Sequence, residues 1–348
     1  MKHNLCVIGY GGMGGWHVRH ALESDVINLK GVWDINPERL EVAKENGIYA
    51  YSSLEEVLND KEVDLVTIAT PNDVHIDLAI KALDAGKNVI SEKPVTLNVK
   101  ELETIIEAAK RNNKLFTVHQ NRRWDTDFLA VKDLRDKNEL GHIFEIESRV
   151  HGSRGIPGDW RKEVEHGGGM LYDWGIHLID QILQIIPEKL ISVNCVFDNI
   201  TNTEVDDGFK LRMVFENEMS AYVEVGTYNF INMPRFYVKA EKGTGMINDW
   251  QNDMDVVKVL QWHEDGVIPV KTAAGLTKTM APRTEKTTES YVKIKPKSDV
   301  HDFYRNYCRA IEGKEKQLVN HEEMIRVMKV IEVCFESART NQTIKTNL

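Results

Sequence analysis

The run LCVIG at positions 5–9 feeds directly into Gly11 and Gly14, so G-x-G-x-x-G falls between an apolar strand and the first helical pattern of the chain. No other feature limits the fold as much. Glycines there permit a tight turn and let a bound pyrophosphate approach the backbone. They also leave the free N–H groups and dipole of a helix N-terminus facing an anion. The motif alone is weak, but the sequence that follows supplies its context. Apolar strands are predicted at 5–9, 28–34, 47–51, 64–69, 87–91 and 115–119, with helices at 12–23, 37–46, 53–59, 74–85 and 98–112 between them. Asn98 followed by Glu101 gives the last helix a capping-box-like start. This alternation describes a parallel sheet covered by helices, a dinucleotide-binding domain over residues 1–122.

Asp34 ends the second predicted strand, 25 residues after Gly9, where a carboxylate accepts hydrogen bonds from the adenosine ribose. It would repel a 2′-phosphate, so NAD is the expected cofactor. Arg39, close in sequence, leaves NADP possible. Ala69-Thr70-Pro71-Asn72 ends the fourth strand and Ser91-Glu92-Lys93-Pro94 the fifth. Ligands of open α/β sheets bind beyond the carboxyl ends of strands, which puts both segments at the cofactor crevice. Pro94 restricts Lys93 to extended backbone and holds its ammonium at the strand tip.

From Gly141 the pattern changes. Strands at 142–152, 190–200, 206–217, 218–231 and 235–241 read as a large, mostly antiparallel open sheet, so the fold class is α/β with a second α/β domain over 123–348. Phe209, Leu211, Met213 and Phe215 alternate with Lys210, Arg212 and Glu216, giving one buried face and one mixed face suited to a subunit interface. Residues 271–297 read as solvated strands and loops, and helices near 299–313 and 321–339 close the chain.

Composition excludes several classes of partner. With 54 acidic against 44 basic residues and a net charge of -10, the chain offers no phosphate-binding surface for nucleic acid. No apolar run is long enough to span a bilayer, so no membrane is expected. The first strand begins close to Met1, which leaves no room for a cleavable leader. Cys6, Cys195, Cys308 and Cys334 are scattered without a C-x-x-C pair, as suits reduced thiols in a cytoplasmic protein. Among twelve histidines the nearest approach to a ligand pair is His17 with His20, and spacing suggests no third ligand, so no metal is expected.

Gly167-Gly168-Gly169 runs into a helical pattern carrying Asp173 and His177 four residues apart, with Asp180 three further on. On an α-helix these stack on one face. A carboxylate beside an imidazole, reached over bare backbone, suits proton transfer to a tightly held small molecule. The same residues also suit a core helix capped by Asp173, with His177 hydrogen-bonded inside it and the glycines forming a turn. A dinucleotide crevice and a constrained Lys93 elsewhere in the chain give the proton-transfer reading a partner. Asp180, nearly two turns from the helix start, is expected to be structural.

With GYGGMG, EKP and GGGMLYDWGIHLID in this order, the chain resembles the Gfo/Idh/MocA family of oxidoreductases over nearly its whole length. HQNRRWD resembles a subgroup related to scyllo-inositol dehydrogenases. The resemblance implies a Rossmann domain, a following α/β domain, and a homodimer or homotetramer assembled through the second sheet. It lays the catalytic set on Lys93, Asp173 and His177. The cofactor is then expected against Gly9, Gly11, Gly12, Met13 and Gly14 of the first turn and against Asp34. Thr70, Pro71, Asn72 and His75 after the fourth strand, Glu92 and Lys93 after the fifth, and Gln120 complete its contacts.

The residue types fit that chemistry. Oxidising a secondary ring hydroxyl sends a hydride to the nicotinamide and a proton to a base. His177, with a pKa ordinarily near neutrality, is the expected general acid/base. Asp173 orients it or binds the same hydroxyl, and Lys93 stabilises the alkoxide and fixes the ribose. The substrate is expected to be a small polyol or sugar, recognised by Arg122, Arg123, Trp124, Trp160 and Arg161 together with Asp173 and His177. The competing role for these arginines is interdomain ion pairing, and for the tryptophans core filling. Two other activities fit the pattern. One is glycoside or sugar 3-dehydrogenation, or keto-sugar reduction, through a wide entrance at 151–166. The other is non-catalytic sensing of NAD or sugar, against which Lys93, Asp173 and His177 together weigh.

Overall fold

The chain, seen in a computed structural model that describes residues 2–348, opens with β1 (His3–Ile8), α1 (Gly12–Glu23), β2 (Ile27–Trp33), α2 (Pro37–Glu45), α3 (Leu54–Asn59) and β3 (Leu65–Ile68). α4 (His75–Asp84), β4 (Asn88–Ser91), α5 (Val99–Arg111) and β5 (Phe116–Val118) follow. The five strands form one parallel sheet in the order β2-β1-β3-β4-β5. β3 and β4 are buried along their whole length, as strands covered by helices on both faces must be. Local chemistry sets the helix starts. Asn36, Ser53 and Asn98 each accept a backbone N–H at the head of α2, α3 and α5, and Glu101 in turn accepts from Leu97 N. α1 is the exception. Its N-cap is Gly11 and no side chain caps it, so its first N–H groups stay open to a ligand.

The strand expected at 47–51 does not form. The chain leaves α2 through Gly47 at φ 72° and reaches the Ser53 cap of α3 within a few residues, so only an isolated Val32–Ala50 bridge is made.

The second layer is built from α6 (Thr126–Asp136), β6 (Ile143–His151), α7 (Ile176–Ile185), β7 (Leu190–Asp198), β8 (Gly208–Phe215), β9 (Ser220–Gly226), β10 (Phe236–Ala240), β11 (Gly243–Ile247) and β12 (Met254–Val259). β13 (Val270–Thr272) and β14 (Gly275–Thr277) make a separate exposed hairpin before β15 (Thr288–Lys293). α8 (Asp302–Ile311), α9 (His321–Thr340) and β16 (Ile344–Lys345) end the fold. The sheet has nine strands in the order β15-β12-β11-β10-β6-β9-β8-β7-β16, antiparallel except for β6 with β9. It is thus wider than its strand pattern indicates. β11 reads GTGMI, and glycines dilute the period-two signal by which a strand is recognised.

α8 returns to the first layer. The Tyr307 hydroxyl reaches the carbonyls of Val89 and Leu115, at 2.9 and 2.7 Å, and Tyr304 reaches Thr67 and His17. A segment far from the Rossmann half in sequence therefore closes it from below. None of the helices among the described residues is long and apolar enough to cross a membrane.

Candidate active site

The crevice lies where strand order reverses, between the carboxyl ends of β1 and β3. Gly9, at φ +93°, brings its backbone so near β3 that a Cβ would stand 2.6 Å from Ala69 O, and a Cβ on Gly14 would stand 1.8 Å from Gly9 O. Those two glycines pack turn against strand. Gly11 and Gly12 differ, with no protein atom within 4 Å of where a Cβ would be. Beside them is a cavity of about 440 Å³ whose walls include Asp34, Thr70, Pro71 and Lys81. The Thr70 hydroxyl is buried there without a partner, and such a group calls for a ligand. Asp34 accepts from Tyr10 N and Asn36 N, at 2.6 and 2.8 Å, which fixes its carboxylate at the cavity wall. An open helix N-terminus, bare glycines, an orphan hydroxyl and a fixed acid fit the phosphates and ribose of a dinucleotide.

Beyond β4 and β5 the chain presents residues in two adjacent pairs, Glu92-Lys93 and His119-Gln120. Lys93 and Gln120 meet the glycine-led helix. Lys93 Nζ donates to Asp173 Oδ1 and to Asp173 O, each at 2.8 Å. Asp173 Oδ2 accepts from Arg161 Nε at 3.1 Å, and Arg161 also bonds Asp159 and stacks on Trp160 at 4.6 Å. Burial opposes charge on Asp173, but Lys93 and Arg161 outweigh it and hold its carboxyl down to about 2. Gln120 Oε1 lies 2.8 Å from His177 Nδ1. In that pairing Nδ1 donates, which leaves Nε2 as the basic nitrogen. Burial first, then the charges of Lys93 and Arg122, keep His177 neutral well below the usual imidazole range.

The other member of each pair points away from the crevice. Glu92 Oε1 accepts from His17 Nε2 and His119 Nδ1, both at 2.8 Å, while Tyr304 lies 2.7 Å from His17 Nδ1 and 3.2 Å from Thr67. Donor counting gives this buried chain one direction. Thr67 donates to Tyr304, Tyr304 to His17, and both imidazoles to an ionised Glu92. Burial disfavours the Glu92 charge, yet the two histidines hold its carboxyl well below the ordinary range. Glu92, expected at the cofactor, instead locks α1 and the tips of β4 and β5 together from behind.

Several other expectations are corrected. Leu171–Gly175 is a single π-helical turn leading into α7, so Asp173 and His177 are not stacked on α-helical spacing and no hydrogen bond joins them. Gln120, not Asp173, orients the imidazole. The three glycines do not bare the backbone for a ligand. A Cβ on Gly168 would meet Arg161 O at 2.4 Å and one on Gly169 would meet Asp206 Oδ1 at 2.2 Å, so they make room for protein. Asp206, which the sequence did not single out, accepts Leu171 N at 3.0 Å and anchors that turn.

Arg123, expected at the substrate, is buried and spent on Asp180, Glu323 and Leu318 O at 2.6–2.8 Å, a clamp that ties the segment after β5 to α7 and to the start of α9. His75, expected at the cofactor, is wholly buried between the carbonyls of Thr70 and Pro94. Asn72 donates to His166 O at 2.7 Å and ties the two halves. Met13, Arg122 and Trp124 do meet, on a cavity of about 510 Å³ that Trp250 also lines. Arg122 lies over Trp174 at 4.9 Å, and Trp174 contacts Trp250 at 5.9 Å. Trp250 sits in a loop after β11, where nothing in the sequence marked it.

Comparison with known proteins identifies the family and the fold. Residues 3–120 match the Gfo/Idh/MocA oxidoreductase family with NAD-binding Rossmann fold, and residues 128–245 match the C-terminal domain of the same family. The structure of an NAD-binding protein from Listeria innocua is 46% identical and superposes with a TM-score of 0.95 over 99% of both chains. Scyllo-inositol 2-dehydrogenase (NADP(+)) IolW of Bacillus subtilis is 28% identical over 343 residues, covering 97% of this chain and 94% of its own. An inositol 2-dehydrogenase of Salmonella paratyphi B is 27% identical over 198 residues, 55% of this chain and 56% of its own. The glycine turn on a parallel sheet and the wide second sheet are thus those of an NAD(P)-dependent dehydrogenase, and the chain belongs to the Gfo/Idh/MocA family of oxidoreductases.

Proposed function

We propose that the protein catalyses reversible NAD(P)-linked oxidation of a secondary ring hydroxyl on an inositol-like polyol or sugar. The observation that carries this reading is the pairing at neighbouring strand tips, Lys93 with Asp173 and Gln120 with His177. A bound dinucleotide supplies the hydride acceptor. His177, neutral and oriented by Gln120, takes the hydroxyl proton at Nε2. Lys93 spends two of its three N–H groups on Asp173, and the third remains for the oxygen that becomes an alkoxide. Asp173 stays ionised and fixes the ammonium, and Arg161 steadies Asp173 from the far side. In this reading Arg122, Trp124 and Trp160 bind the ring, supported for the first two by the cavity they line together. The names of the Bacillus and Salmonella relatives support the substrate class.

In this reading residues 1–122 hold the cofactor through Gly9, Gly11, Gly12, Met13, Gly14, Asp34, Thr70 and Pro71, and residues 123–348 hold the substrate. The mixed sheet face of Glu145, Arg149, Lys210, Arg212, Tyr222 and Lys239 is where copies of the chain pair into a dimer or tetramer. Four buried free thiols suit the cytosol. The test is purified protein mixed with NAD or NADP and a panel of inositols, free sugars and glycosides, followed by absorbance of the reduced nicotinamide. Turnover of cyclic polyols supports the proposal. Turnover of glycosides alone favours the 3-dehydrogenase, and silence with cofactor bound favours a sensor.

A further inference from the structure

His20 and Glu23 occupy the last turn of α1, and His301 immediately precedes α8. The fold brings them together so that one donor atom from each lies within 4.8 Å of the other two. The two imidazole centroids are 5.8 Å apart, and Trp16, one turn back on α1, packs against His20 at 4.3 Å and limits its rotation. Among the described residues only three of the twelve histidines, His20, His142 and His301, make no hydrogen bond through either ring nitrogen. Two of those three face each other here. His20 Nδ1 is buried without a partner, at a cost that a native structure seldom leaves uncompensated. Glu23 has no ion-pair partner among the described residues.

The second histidine–carboxylate cluster, His17 with Glu92 and His119, is different in kind. His119 Nε2 is unpartnered there, but the atoms that face one another, His17 Nε2, His119 Nδ1 and Glu92 Oε1, are already joined by hydrogen bonds, so the space between them holds no cation.

We propose that His20, Glu23 and His301 form a binding site for a borderline divalent transition metal, with zinc its most suitable occupant. Two imidazoles and one carboxylate are a nitrogen–oxygen donor set of the kind zinc takes, whereas magnesium and calcium prefer oxygen alone. Tetrahedral bonds of about 2.0–2.1 Å put donors roughly 3.4 Å apart, a contraction that the exposed Glu23 and the half-exposed His301 can supply by rotation. Arg19 lies nearby and opposes a cation, and Glu23 offsets it. The fourth position is left to solvent or a small ligand. A metal there ties the end of the cofactor-binding helix to the helix that closes the Rossmann layer from the other end of the chain. It binds the folded state only, so it raises the melting temperature.

The experiment uses the full chain stripped with a chelator and titrated with zinc chloride by calorimetry, with thermal melts alongside. We expect one saturable equivalent and a raised melting temperature, with His20→Ala and His301→Ala each weakening binding at least about tenfold. His142→Ala, equally unbonded but remote, leaves binding unchanged. Cobalt(II) in place of zinc gives the visible absorption of a four-coordinate nitrogen–oxygen site in the wild type and loses it in both variants. If an alanine variant melts early without metal, His20→Gln and His301→Gln replace it. Absence of saturable binding overturns the proposal, as does binding that survives loss of both His20 and His301, which would assign the metal to scattered surface histidines.

Discussion

Lys93 Nζ is bonded to both the carboxylate and the backbone carbonyl of Asp173, across the junction between the two sheets. The two residues are 80 positions apart in sequence, and their ion pair is largely shielded from water. In the proposed mechanism Lys93→Met removes the ammonium that faces the reacting oxygen, and turnover is expected to fall roughly 10²–10³-fold while dinucleotide binding persists. Steady-state kinetics beside a fluorescence titration with NADH reads both quantities. Equal losses in turnover and cofactor affinity would make Lys93 a binding group alone.

His177 is neutral because it is buried and because Lys93 and Arg122 are cationic beside it. Its folded pKa is depressed, so the native state binds fewer protons than the unfolded chain below the ordinary imidazole value, and the base form persists there. The acid limb of kcat/KM for oxidation should therefore fall below pH 6.5. Arg122→Gln removes one of the depressing charges and should move that limb to higher pH. A limb that moves lower, or not at all, would detach it from His177.

Arg123 and Asp180 form a buried pair that Glu323 completes. Removing the cation alone, as in Arg123→Met, leaves a buried carboxylate uncompensated and should cost about 3–5 kcal/mol in urea unfolding. Arg123→Met with Asp180→Leu should recover much of that loss. A single variant as stable as the wild type would mean the clamp carries no weight.

Burial raises the Asp206 carboxyl to about 7 despite the backbone N–H groups it accepts. The folded state then holds a proton that the unfolded chain has released, so this group lowers stability as pH rises from about 4 to 7, by up to roughly 4 kcal/mol. Asp206→Asn should flatten that part of the stability–pH curve, read from melts across the range. An unchanged slope would show that Asp206 titrates normally.

How much of this was legible depends on how local each signal is. The glycine turn, Asp34, Lys93 before a proline, and the residues of the glycine-led helix are marked within a few positions of themselves, and all stand at or beside the crevice. What stayed hidden required distant partners. Nothing near Arg123 announces Asp180 and Glu323, nothing near Glu92 announces His17 and His119, and Gln120 finds His177 only once β5 lies opposite α7. The π-turn was invisible for another reason. It alters helix winding by one hydrogen bond, while the pattern of apolar residues on which helix prediction rests continues through it unbroken.

The most direct test of the account concerns His177. His177→Ala, assayed with NAD or NADP and a cyclic polyol while NADH affinity is measured by fluorescence, should bind NADH about as tightly as the wild type. Its turnover should be roughly 10²–10⁴-fold lower. Near-normal turnover across the pH range would contradict the assignment of proton transfer to this residue.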